Sequence, residues 1–316
     1  MEKYLKVNYM SGRPRDDAPD YKKEKKRVDG RKMDELRPLS IKVGVLPNAD
    51  GSAYLEWGQN KVYAAVFGPR EALPKHTQNP MKAVMKVTYR MATFSVPERK
   101  QPRPNRRDME ISKVLGEALD KSVFTEQFPN TEIAVFVEVV DSNAGSRVAC
   151  LTAASCALAN AGIPMRDLVA ATGIGKAFGE LIVDLNKEEE DAPDAVDIPI
   201  AIMPNTGEIV LLQMDGLLTK EEWAKLAPMG IKACKAVYEV QKKALQEKFP
   251  ISELSEANVE AEVAGKDAPA KTESKVVPAK SEAKAPAKAE KKDDKKADKD
   301  SKESKAKKVK KWEQLY

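Results

Sequence analysis

The chain has 316 residues, 42% hydrophobic and 33% charged, with a mean hydropathy of −0.52 and a formal net charge of +5. That composition can build a substantial core. It includes no apolar run long enough for a membrane span and no apolar N-terminal signal segment, so a soluble cytoplasmic protein is expected. The charge is uneven. From Ala264 to Tyr316, 17 lysines face 10 acidic residues, a net +7 that leaves −2 for residues 1–263. The basic balance therefore belongs to the tail and says nothing about nucleic-acid binding by the rest.

Residues 1–26 read as a polar extension of mixed charge, and a body spanning 27–250 opens at Arg27-Val28-Asp29-Gly30-Arg31. Strand patterns follow at Leu39 to Leu46, Ser52 to Trp57, Lys61 to Phe67 and Ala83 to Tyr89, with a turn at Asn48-Ala49-Asp50-Gly51. A proline-containing loop, Met91 to Asn105, leads to an amphipathic helix. Asn105 suits its N-cap, and Ile111, Val114, Leu115, Ala118 and Leu119 share one face. Thr131 to Val140 is a β-branched and aromatic strand, and Val148 to Ala161 is a buried helix free of Pro and Gly. Strands recur at Leu168 to Ala171, Phe178 to Leu185, Asp197 to Met203 and Glu208 to Met214, before a last helix from Thr219 to Lys248. The fold class predicted is α/β, with mixed β-sheets packed against helices. Residues 251–316 are rich in Lys, Ala and Glu, bury too little to offset their ordering entropy, and are predicted to be a disordered basic tail. Cys150, Cys156 and Cys234 show no paired spacing and read as buried, reduced thiols. With His76 the sole histidine and no Cys-x-x-Cys pair, a zinc site is not expected.

Three clusters carry chemistry. In Asn143-Ala144-Gly145-Ser146-Arg147, Gly145 permits a tight turn, Ser146 can cap the next helix, and Arg147 adds a guanidinium fork to free first-turn N–H groups. Such a helix start suits a phosphate, although alone it is equally an ordinary capped helix. The second cluster is Arg99, Lys100, Arg103, Arg106 and Arg107 against one Glu98. The dipole disfavours cations at a helix start, so Arg106 and Arg107 make most sense if an anion comes there. The third is Glu188 to Asp197. An acidic loop is ordinarily a solvated turn, but Asp197 opens the apolar run Ile198 to Met203, where a carboxylate wants a partner or a metal.

Several motifs in order resemble the RNase PH family, and within it the catalytic RNase PH-like subunits of the archaeal exosome. They are Val28-Asp29-Gly30-Arg31, Leu46 to Ala53, Gly68-Pro69-Arg70-Glu71, Ala144-Gly145-Ser146-Arg147, Asn160 to Leu168 and Asp197 to Ala201. The resemblance spans about residues 25–250 and implies an RNase PH-like catalytic domain. It implies inorganic phosphate as co-substrate on Gly145, Ser146 and Arg147, and the RNA 3′ end on Arg106, Arg107 and Lys75. Lys75 stands where arginine is usual, keeping the charge but losing bidentate geometry. Asp191 is implied as the general acid and Asp197 as an orienting group or Mg²⁺ ligand; if Asp191 is not the acid, Asp194 in the same loop is the first to try. The family commonly has Asp where this chain has Asn143.

The activity so implied is phosphate-dependent 3′→5′ degradation of single-stranded RNA, releasing nucleoside diphosphates and reversible to 3′ tailing. The implied partners are a paralogous noncatalytic subunit, in a hexameric ring of three heterodimers, and RNA-binding cap subunits. The alternatives are a noncatalytic RNA-binding ring subunit of the same family, or an adaptor whose lysine tail binds RNA.

Overall fold

The computed structural model describes Arg27 and residues 29–249. The proposed extension 1–26 and tail 251–316 lie outside the described residues.

The first sheet orders its strands β1-β2-β3-β5-β4. β1 (Leu39–Val43), β2 (Gly51–Trp57), β3 (Asn60–Glu71) and β5 (Thr131–Asp141) pair antiparallel, while β4 (Val84–Met91) runs parallel to β5 at the edge. Period-two patterning decides which face is covered. Val62, Ala64 and Val66 of β3 and Ile133, Val135, Val137 and Val139 of β5 are fully buried, with Lys61, Tyr63, Phe136 and Glu138 turned away. Helix α1 (Arg106–Ser122) covers β4 with Ile111, Leu115, Ala118 and Leu119. Its Asn105 cap is a full capping box: the Asn105 side chain accepts from Asp108 N, and the Asp108 carboxylate accepts from Asn105 N.

Helix α2 (Ser146–Asn160) has almost no polar face, because it packs on β2 and β3 on one side and on the second sheet's β6 on the other. The approach to β2 is close enough to demand glycine: a Cβ on Gly51 would stand 2.3 Å from the carbonyl oxygen of Ala157. The second sheet orders β7-β6-β8-β9, all antiparallel: β6 (Ala170–Ala177), β7 (Glu180–Val183), β8 (Val196–Met203) and β9 (Glu208–Leu212). Helix α4 (Lys220–Lys248) closes it, burying Leu226, Ala233, Cys234, Val237 and Ala244 against β6 and β1. One continuous apolar core joins both sheets and these helices. All three cysteines are free and buried.

Three local expectations change. Sequence alone ends a strand at Ala171 and starts the next at Phe178. Instead β6 runs on through Gly173 and Gly175 to Ala177, with Phe178 and Gly179 both left-handed in the turn (φ 53° and 77°). A Cβ on Gly175 would meet the Val196 carbonyl oxygen at 1.8 Å, so that glycine serves the close packing of β6 against β8. The acidic loop is not merely a solvated turn. It holds a short helix, α3 (Lys187–Glu190), capped by Asn186, whose Glu189 is fully buried. Ser146 does not cap α2 either, because Gly145 occupies that position with φ 66° and no side chain to offer.

Candidate active site

Four chain segments end at one place. The N-terminus of α1 brings Arg106 and Arg107, the N-terminus of α2 brings Arg147, β8 opens with Asp197, and the residues after β9 bring Gln213 and Asp215. With Glu110 and Glu190 they line an open cavity of about 580 Å³. Separate sheets build it, and α2 links them, so the shared core fixes its dimensions.

At the α2 entrance Ala144 and Gly145 are both left-handed (φ 55° and 66°). For Ala144 this costs on the order of 1–3 kcal/mol, and a hydrogen bond of 2.6 Å from Asn60 Nδ2 to its carbonyl oxygen helps to hold it. The result aims the first turn of α2, whose N–H groups have no intrahelical partner, with no side chain in the capping position. Ser146 is buried, and its Oγ lies 3.1 Å from the phenol oxygen of Tyr89, whose own ionisation burial pushes far above the usual range. Arg147 Nη1 donates to Gln213 Oε1, and Gln213 Nε2 donates in turn to Glu110 Oε1 at 3.0 Å. The guanidinium is thereby pointed along the cavity wall.

Arg106 and Arg107 are exposed, and neither forms an ion pair among the described residues, since Asp108 beside them is committed to the cap. Cations at a helix N-terminus oppose the dipole, an electrostatic cost that an arriving anion relieves. Asp197 is opposite in character. Its backbone pairs with Asp215 (N–H to carbonyl, 3.0 and 2.9 Å), and its carboxylate has no hydrogen-bonding side chain among the described residues. Burial, then the nearby Glu190, raises its pKa to about 6 against the opposing pull of Arg147 and Arg107.

The remaining predicted residues fall elsewhere. Asp191 follows α3 outside the cavity lining, its side chain 63% exposed, with its Oδ1 2.7 Å from Lys187 Nζ; it is Glu190 that lines the cavity. Asp194 holds the β6–β7 turn, its two oxygens accepting from Phe178 N and Gly179 N at 2.9 and 2.6 Å. Lys75 lies in an exposed 3-10 turn, Lys75–Thr77, outside the cavity lining. A separate groove lined by Lys82, Lys86, Ser112 and Lys113 lies between β4 and α1 and contains none of the predicted residues. Sequence reasoning missed Gln213 and Glu110, because polar side chains that orient another side chain carry no motif. No cluster of three or more metal-ligating side chains occurs among the described residues, and none of their helices is long and apolar enough to cross a membrane.

Comparison with known proteins places this geometry. The chain is 58% identical over 224 residues to the exosome complex component Rrp41 of Pyrococcus furiosus, covering 71% of this chain and 89% of that one. It is 55% identical over 240 residues to the Rrp41 component of Thermococcus onnurineus, covering 76% and 96%. Rice Rrp46 superposes with a TM-score of 0.63 at 27% identity, over 70% of this chain and all of that one. The exosome of Archaeoglobus fulgidus with RNA bound to the active site shares the fold, with a TM-score of 0.59 at 22% identity over 68% and 92%. Residues 35–164 match the 3′ exoribonuclease family, domain 1, and residues 167–233 match its domain 2. With both halves of that family present in order around one cavity, the chain belongs to the 3′ exoribonuclease family of RNase PH type.

Proposed function

We propose that this chain is the catalytic RNase PH-like subunit of an archaeal exosome, a phosphorolytic 3′→5′ exoribonuclease whose working unit is residues 27–250. One observation carries the reading: three arginines from two helix starts, Arg106, Arg107 and Arg147, converge on a cavity that also holds a half-buried Asp197. Phosphoryl transfer needs cations around the reacting anions and little else but positioning and a proton source. The turn at Gly145, Ser146 and Arg147 holds inorganic phosphate, while Arg106 and Arg107 hold the last phosphodiester of single-stranded RNA. Lys75 contacts the strand further out. A phosphate oxygen attacks the terminal phosphorus, the bond to the 3′ oxygen breaks, and Asp191 protonates that oxygen as it leaves. The products are a nucleoside diphosphate and RNA one residue shorter. A phosphodiester is exchanged for a diphosphate anhydride, so the step runs backwards at high diphosphate and extends 3′ ends.

Asp197, with Glu190 across the cavity, suits a Mg²⁺ held by one or two carboxylates and completed by substrate phosphates. The residues fit such an ion: a carboxylate with a pKa raised to about 6 and no side-chain partner gains from a cation. When bound, the ion would neutralise charge on the reacting phosphates. The assembly we infer is a hexameric ring of three heterodimers with a paralogous noncatalytic subunit, carrying RNA-binding cap subunits. We place it in the cytoplasm, where its three free thiols stay reduced. A noncatalytic ring subunit would have no use for the Arg106, Arg107, Arg147 and Asp197 arrangement.

The test is to incubate the purified chain, alone and with its paralogous partner, with 3′-labelled RNA with and without phosphate. Diphosphates appearing only with phosphate support phosphorolysis. Monophosphates released without it would overturn the reading in favour of hydrolysis.

A further inference from the structure

The phosphate turn and the acidic helix are 44 residues apart in sequence, yet they meet at the side chain of Asn143. Its Oδ1 accepts from Lys187 N at 2.9 Å, and its Nδ2 donates to Gln59 Oε1 at 2.7 Å. The orientation is unambiguous, because a backbone N–H can only donate and so requires the oxygen. Asn143 is itself held by its backbone: its N–H donates to Asn60 Oδ1 at 2.5 Å, and its carbonyl accepts from Arg37 Nη1. Arg37 is anchored below by Asp184, whose carboxylate also takes Trp57 Nε1 at 3.0 Å.

Lys187 is the first residue of α3, so its N–H is one of the helix's orphan donors. The Asn186 cap serves Glu189 N and leaves Lys187 N to Asn143. On its other side α3 is pinned by Glu189, buried in an ion pair with Arg27. Its C-terminal end presents Glu190 to the cavity and leads into Asp191. One amide oxygen therefore ties α3 directly to the turn of Gly145, Ser146 and Arg147, and with the Arg27–Glu189 pair it holds the carboxylates in place.

We propose that Asn143 is a positioning residue for phosphorolysis, its side chain setting the distance between the phosphate-holding turn and the carboxylates that follow α3. The proposal rests on the function inferred above. Its experiment uses the full-length wild type, Asn143→Ala, Asn143→Asp and Lys187→Pro in complex with the ring partner, titrating inorganic phosphate against diphosphate release. Lys187→Pro deletes the same hydrogen bond from the donor side. Proline is tolerated at a first helical position, and Asn186 already has the extended backbone (φ −91°, ψ 176°) that it requires. Lys187→Ala serves as its side-chain control.

Misplacement on an ångström scale costs up to about 10²-fold, so Asn143→Ala and Lys187→Pro should each lower kcat/KM for phosphate by about 10- to 100-fold. RNA affinity should stay within about two-fold, and their combination should cost little more than either alone. Asn143→Asp keeps an acceptor oxygen and should recover most of the loss. Wild-type kcat/KM in Asn143→Ala, an equal loss of RNA affinity, or an aspartate variant as poor as alanine would overturn the positioning role. A wild type that releases no diphosphate defeats the phosphorolysis reading itself, and is seen before any variant is compared.

Discussion

Asp191 and Asp197 stand six residues apart, but their surroundings differ, and so should the consequences of changing them. Asp191→Asn cannot give a proton to the departing 3′ oxygen, and loss of a general acid costs about 10² to 10⁴ in rate. RNA affinity should remain near normal, because the RNA-facing cations are untouched; single-turnover rates beside a binding isotherm check both. Asp197 acts as a carboxylate in this scheme. Burial, reinforced by Glu190, places its pKa at about 6, so turnover should fall as pH drops through that value. Glu190→Gln removes a negative neighbour that raises this pKa, and should move the acidic limb to lower pH. A limb that stays in place, or a rate that falls above pH 6, would assign the titration elsewhere. In the proposed scheme the arginines divide the two ligands, so Arg147→Ala should raise the phosphate KM more than it weakens RNA binding, and the Arg106→Ala, Arg107→Ala pair should do the reverse. Equal effects on both ligands from each variant would refute the division.

At the scale of elements, legibility followed periodicity. Helices α1, α2 and α4 and the strands of the first sheet were readable because each has a sustained apolar pattern and, in α1, an explicit cap at Asn105. The cluster at Arg106 and Arg107 was legible as a charge anomaly, and Gly145 as a turn. What remained hidden depended on distant partners. The stretch from Thr172 to Ala177, with Gly173 and Gly175 and little apolar pattern, did not read as strand until β8 lay against it. Four acidic residues in a row read as solvated until Arg27, from 162 positions away, met Glu189. That ion pair is wholly buried, and Arg27 also donates to the carbonyls of Val183 and Asp184 at 2.7 and 2.6 Å. Removing one partner strands the other charge without water, at about 3–5 kcal/mol. Glu189→Ala should therefore lower the unfolding free energy from denaturant titration by an amount of that order, and by loosening α3 should also slow phosphorolysis. A Glu189→Ala variant as stable as wild type would mean that Arg27 is not stranded, its guanidinium being satisfied by the Val183 and Asp184 carbonyls or by entering water.

At the scale of the whole molecule, charge is split between two parts. Residues 1–263 carry −2 while residues 264–316 carry +7. Within the first part, Arg106, Arg107 and Arg147 stand at two helix starts around one cavity. In the proposed function that local arrangement, rather than net charge, would recognise phosphates at close range, because exposed charges more than about 10 Å apart are screened at ordinary ionic strength. The lysine-rich segment can still act at long range by raising the local concentration of RNA when salt is low. Deleting residues 264–316 shifts the chain from +5 to −2 and removes no apolar periodicity that could dock on the core. The melting temperature and the rate at saturating RNA should therefore be unchanged. RNA capture should weaken at low ionic strength, and the difference from wild type should shrink as salt rises, with a shallower dependence of log Kd on log salt. Thermal melts beside RNA titrations at two salt concentrations decide it. A melting temperature several degrees lower would mean that the tail packs against the catalytic unit. A salt-independent loss of affinity would mean that it reads RNA through contacts other than charge.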